Sequence, residues 1–131
     1  MGMSLPFNSS NPAVSEEKHH EFDGIAKAIN SLIDKDLKPR DIVTKSSLHN
    51  ALRLIMVLGG STNAVLHMMA IADAAQIDFS LEDFTKIASE TPFLADLKPS
   101  GKYLMEDLHH VGGIPAVLKY CLLYTSPSPR D

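Results

Sequence analysis

At 131 residues, 44% of them hydrophobic, the chain is long enough for one globular unit with a modest core. Its formal net charge of −4 comes from signs mixed along the whole length, which argues against a nucleic-acid-binding face. No apolar run reaches the roughly 18 residues that cross a bilayer, and no signal-type leader is present, so the expectation is a soluble cytoplasmic protein without a membrane partner.

Residues 1–14 read as loop, because Asn8, Ser9, Ser10, Asn11 and Pro12 cluster turn formers without periodicity. Ser15 is a suitable N-cap, Glu16 and Glu17 suit the positive end of a helix dipole, and Phe22, Ile25, Ala26, Ile29, Leu32 and Ile33 recur at helical spacing. This predicts a first helix with one apolar face, stopped by about Leu37 because Pro39 bars continuation. Thr44 is the next N-cap. The helix after it carries Leu48, Ala51, Leu52, Leu54, Ile55, Met56, Val57 and Leu58, is apolar on nearly every side, and ends at Gly59 and Gly60.

Ser61 or Thr62 caps a third helix, from Ala64 to about Ala75, again mostly apolar through Val65, Leu66, Met68, Met69, Ile71 and Ala72. Ser80, Leu81, Glu82 and Asp83 have the form of a capping box, with Asp83 where Glu or Gln is usual; the short helix they open carries Phe84, Ile87 and Ala88 and ends before Pro92. Residues 93–97 read as a short strand or an irregular crossing, and Lys98, Pro99, Ser100 and Gly101 as a turn. A helix over 103–110 stops at Gly112 and Gly113, and Pro115 suits the first residue of a last helix running toward Tyr120. The expected unit is mainly α, with about five helices. Two helices apolar on nearly all sides exceed what so short a chain buries, which implies partners in a larger body.

Chemistry-bearing residues are few. Cys121 is the one cysteine, so the chain has no internal disulfide and no thiolate cluster of its own. The six histidines are His19, His20, His49, His67, His109 and His110, and none forms a pair at metal-ligand spacing. Adjacent histidines on a helix point about 100° apart, so neither neighbouring pair is a two-ligand site, and His19 and His20 read as solvated. Gly59, Gly60, Ser61, Thr62 and Asn63 form the most informative string. Two glycines let the backbone turn tightly and approach a ligand, and the helix that follows offers unpaired N–H groups to a carboxylate or phosphate. The same string also suits an ordinary helix–turn–helix junction, and it is no phosphate loop, lacking the preceding strand and the Gly-Lys-Ser/Thr. Glu106, Asp107 and His109 form a second group, suited to acid–base chemistry or a metal, or simply to a helix start with a surface histidine.

In this order and spacing, these strings carry a resemblance. Gly59 to Asn63 followed by Ala64, Val65, Leu66 and His67 resembles the signature of the dihydroxy-acid/sugar-acid dehydratase family. Gly2 to Pro6 followed by Ser9 to Ala13 is similar to the stretch upstream of it, and Leu94 to Tyr103 followed by Met105 to His109 resembles the dihydroxy-acid branch in particular. Gly112 to Val117 continue the likeness, whereas His110 departs from it at a place where a basic residue such as arginine is common.

The resemblance implies a hydro-lyase that turns 2,3-dihydroxy acids into 2-oxo acids in branched-chain amino-acid biosynthesis. It implies an iron–sulfur cluster held by three cysteines, a magnesium ion, and a serine that removes the C2 proton, all supplied by other parts of a longer homodimeric protein. Residues 1–120 are then an internal piece of an N-terminal α/β domain, with Met1 an internal methionine, binding no cofactor and holding no catalytic residue. Its expected partners are the rest of its own chain and, in the parent, a small dihydroxy acid. Gly59, Gly60, Ser61, Thr62, Asn63 and His109 are the expected lining of the parent's active site. Two other readings stay open: a sugar-acid dehydratase acting on an aldonate or phosphogluconate, and a small helical interaction module without catalysis. Residues 121–131 break the last helical pattern and resemble the translation of an adapter used in DNA library preparation, so they are expected to be non-native.

Overall fold

The computed structural model describes residues 1–121. Among these the helices are α1 (Glu16–Asp34), α2 (Pro39–Ile42), α3 (Lys45–Leu58), α4 (Asn63–Ala75), α5 (Leu81–Glu90), α6 (Met105–His110) and α7 (Gly113–Tyr120). The unit is mainly α, as predicted. Residues 93–97 form an irregular crossing, and the described residues contain no strand beyond a lone bridge between Leu97 and Tyr103. The expected non-native tail lies outside the described residues except for Cys121.

Local capping chemistry accounts for most helix ends. Ser15 Oγ accepts the Lys18 N–H at 3.2 Å at the start of α1. Thr44 and Ser47 exchange side-chain and backbone bonds of 2.9 and 3.2 Å at the start of α3, and Gly59 closes that helix at φ 67°. Asp83 accepts the Ser80 N–H at 3.0 Å before α5, as the capping-box reading required.

Three boundaries differ from the sequence reading. Helix α1 already ends at Asp34, capped at Lys35, and Pro39 begins another helix: at the first helical position its missing N–H costs nothing, and Asp41 accepts the Lys38 N–H at 2.8 Å to complete the one-turn α2. Helix α6 starts at Met105 rather than 103, because the Tyr103 N–H is bonded to the Asp96 carbonyl at 2.8 Å in the preceding turn. Helix α7 starts at Gly113, with Gly112 at φ 113° as its cap and Pro115 inside the first turn, where no N–H is needed.

The main core lies where α3 packs on α4 and α5. Leu48 and Leu52 are fully buried and meet Val43, Met68, Ala72, Phe79, Phe84 and Ile87, with the Phe79 and Phe84 rings edge-on at 5.2 Å. A second cluster joins the other end of α3 to α6 and α7: Val57, Val117 and Cys121 are buried, with Leu54, Leu58 and Leu108 against them. Helix α3 thus spans both cores. The apolar face predicted for α1 exists in register but buries none of its residues, and Phe22 and Ile33 stay 59% and 70% exposed. Leu66 on α4 is likewise 71% exposed. Those faces are the ones whose sequence outran the interior available.

Asp83 ties α5 to α3. Its carboxylate meets the Ser80 N–H, Lys45 Nζ at 3.3 Å and His49 Nε2 at 3.2 Å. The Ser80 N–H, opposed by partial burial and helped by Lys45 and His49, holds its pKa below the ordinary aspartate range. A depressed carboxylate contributes stability above its unfolded pKa and loses it as pH falls through the lower folded value. We therefore expect urea midpoints of the chain to fall as pH drops through and below the ordinary aspartate range. In Asp83→Ala that part of the acid dependence should vanish, with a loss of about 1 kcal/mol at neutral pH.

Candidate functional site

The glycine junction is built by the end of α3. The left-handed Gly59 lets the chain reverse, and the Gly60 N–H returns to the Ile55 carbonyl at 2.8 Å. A side chain at Gly59 is disfavoured by the φ of 67°, and its Cβ would lie 2.5 Å from Cε2 of Phe93, so that the exposed ring from the crossing after α5 would have to swing aside. That crossing is held by the Leu94 and Ala95 N–H groups, which both bond the Val57 carbonyl, at 3.0 and 2.9 Å. Gly60, Ser61, Thr62 and Asn63 are exposed at the mouth of this junction.

The donors at the head of α4 differ from the sequence expectation of unpaired N–H groups. Ser61 Oγ accepts the Asn63 N–H at 3.2 Å, and the Ser61 and Thr62 carbonyls take the Ala64 and Val65 N–H groups, each at 3.0 Å. Thr62 sits in the right-handed helical region, so the turn before α4 is tight enough to satisfy these groups locally. What the junction offers is side chains: two hydroxyls and a carboxamide.

His109 lies in another environment. Its Nδ1 is 3.1 Å from Oγ of Ser10, a residue 2% exposed, and its ring meets the Phe7 ring edge-on at 6.2 Å. Neither Ser10 nor Phe93 was singled out as a site residue by the sequence. Ser10 stood in a turn-forming cluster and Phe93 in a stretch of weak signal, and neither pattern encodes a contact so far along the chain. His109 and the junction share a support rather than a direct contact, since Leu108 and Leu58, adjacent to them in sequence, pack on the same cluster around Val57. Of the acids, Asp107 is committed to capping α6, accepting the Leu104 N–H at 2.7 Å. Glu17 is held low chiefly by its own backbone N–H and by Ser15, with smaller pulls from His109 and His20.

The family model described as dihydroxy-acid/6-phosphogluconate dehydratase N-terminal matches residues 1–125. The chain belongs to the dihydroxy-acid/6-phosphogluconate dehydratase family. Among its relatives, proteins named dihydroxy-acid dehydratase from Lactococcus lactis (strain IL1403) and Flavobacterium psychrophilum are each 59% identical over 93% of this chain. One of the same name from Francisella tularensis subsp. novicida is 56% identical over 93% of the chain. The chain spans only about a fifth of these relatives, 21% of the Lactococcus protein and 22% of the other two.

A single cysteine cannot by itself hold an iron–sulfur cluster in this dehydratase-family chain. That cysteine, Cys121, is buried against Val57 and Val117. Among the described residues, no three His, Cys, Asp or Glu side chains gather as a metal site.

Proposed function

We propose that residues 1–120 are an internal segment of the N-terminal α/β domain of a hydro-lyase, inactive by itself. The complete enzyme removes water from 2,3-dihydroxy acids to give 2-oxo acids in branched-chain amino-acid biosynthesis. The observation that carries this reading is the 59% identity to the Lactococcus lactis dihydroxy-acid dehydratase over 93% of the chain. In the complete enzyme proposed for this chain, a cytoplasmic homodimer, the iron–sulfur cluster, the magnesium ion and the base that takes the C2 proton come from other segments. This chain's part is to shape the substrate site. Gly59 and Gly60 bring the backbone close, and the exposed Ser61, Thr62 and Asn63 side chains are neutral hydrogen-bond partners for substrate hydroxyl and carboxylate oxygens. His109, which stands apart from the junction beside Ser10 and Phe7, would reach the substrate from α6 in the complete enzyme. Residues 121–131 are, on this reading, not native, and finding them encoded in the source gene would remove that part of it.

The test is a chimera in which this chain replaces its matched segment in the Lactococcus lactis relative. We expect the chimera to turn over a branched 2,3-dihydroxy acid and the isolated chain to turn over nothing. Preference of the chimera for an aldonate would shift the reading to a sugar-acid dehydratase. A folded, cofactor-loaded chimera inactive on both substrates would overturn it, as would turnover by the isolated chain.

A further inference from the structure

A groove of about 890 Å³ opens between α2, α4 and the first residues of the chain. Its apolar walls are Met1, Met3, Val43, Ile71, Ala74 and Ala75. The floor continues the main core: Val43 belongs to that cluster, and the half-buried Met1, Ile71 and Ala75 pack against it. Arg40 fixes the spacing of the two helices, its guanidinium donating to the Gln76 carboxamide oxygen at 3.0 Å and to the Ala74 carbonyl at 3.1 Å. The walls cannot close on each other without breaking those bonds, so the apolar floor stays open on one side.

The backbone at the edge of the groove carries a second, independent sign. Gly2 follows Met1 at φ 80°, in the left-handed region. A glycine there, just past the last helical residue, is a common way to end an α-helix, and the residue after it often packs back on the helix's last turn. Met3 is that residue, and it stands on the wall of the same groove as Met1. The first described helix begins only at Glu16, so a stop at Gly2 serves a helix that would arrive from upstream. The chain covers 21% of the Lactococcus lactis relative, which leaves most of such a protein to be placed around it.

We propose that the groove holds an amphipathic helix of the complete protein, the segment immediately before Met1. It ends at Met1 with Gly2 as its cap, and its apolar side, at three- and four-residue spacing, lies on Ile71, Ala74 and Ala75. This rests on the reading above that residues 1–120 are internal to a longer enzyme.

The test adds to this chain the roughly 20 residues that precede the matched segment in the Lactococcus lactis relative, long enough for a stable helix. Chemical shifts of the added residues are expected to be helical up to Met1, with nuclear Overhauser contacts from their side chains to the Ile71, Ala74 and Ala75 methyls. Ala74→Asp puts a charge on an exposed part of the wall; it should erase those contacts and leave the spectrum of the unextended chain almost unchanged. Added residues with random-coil shifts, or a helix with contacts elsewhere, overturn the proposal. So does concentration-dependent protection of Ile71 and Ala75 in the unextended chain, which would make a second copy the occupant. Should the extended chain aggregate, hydrogen exchange of the Lactococcus chimera decides. There Ala74→Asp should speed exchange in the segment before Met1 about tenfold, and Asp73→Ala, on the same helix but outside the groove, should not. Equal exchange in the two variants overturns the proposal. A folded, inactive chimera whose segment responds to Ala74→Asp would fault the dehydratase reading and uphold the packing, whereas an active chimera indifferent to Ala74→Asp would fault the packing alone.

Discussion

Leu52→Ala is expected to destabilise the chain by about 2–5 kcal/mol, the largest effect of any single truncation here. Leu52 has no exposed surface and lies where α3 meets α4 and α5, among Leu48, Met68, Phe84 and Ile87. Truncation removes the transfer free energy of three carbons and leaves a void that helices fixed by their caps at Thr44 and Ser80 cannot close. Urea unfolding followed by circular dichroism should show a lower midpoint with an unchanged slope. Leu66→Ala is the matched control: the same atoms are deleted at a position 71% exposed, and the change should stay within about 0.5 kcal/mol. Equal losses at the two sites would mean that the α3–α4–α5 core is not the centre of stability.

Gly101→Ala is expected to open the turn before α6 at a cost of about 3 kcal/mol, the upper end for overpacking, because the obstacle is backbone. A Cβ at Gly101 would stand 2.2 Å from the Asp96 carbonyl carbon and 2.5 Å from its oxygen. The turn is closed by three short bonds: Gly101 N–H to the Leu97 carbonyl at 2.7 Å, Tyr103 N–H to Asp96 at 2.8 Å, and Lys98 N–H to Tyr103 at 2.7 Å. No side-chain rotation relieves the clash, so the peptides must separate. Amide hydrogen exchange at Lys98 and Tyr103 should accelerate sharply in the variant, while amides in α3 keep their protection. Unchanged exchange at Tyr103 would show that the turn accommodates a side chain.

The helices were legible in the sequence because capping is a conversation between residues three or four apart. Ser15, Thr44 and Ser80 announced α1, α3 and α5, and Gly59 announced the end of α3. The one-turn α2 was not legible, since Pro39 was read only as a stop signal when a first helical position tolerates it equally. The junction string was legible as a string, but its N–H groups were not: that they bond to Ser61 and Thr62 depends on the dihedrals of the turn.

The sequence by itself determined the helical character, most helix ends and the dehydratase family, because caps, periodicity and motif spacing are all local patterns along the chain. Tertiary structure alone decided which apolar faces are covered. Leu52 and Leu66 both belong to apolar stretches, yet one is sealed and the other open, according to which helix lies opposite. It alone brought Ser10 to His109 across 99 residues, and Phe93 over Gly59. Hydrogen-bond partners and burial are set by what packing places nearby, and a linear order of residues does not state that.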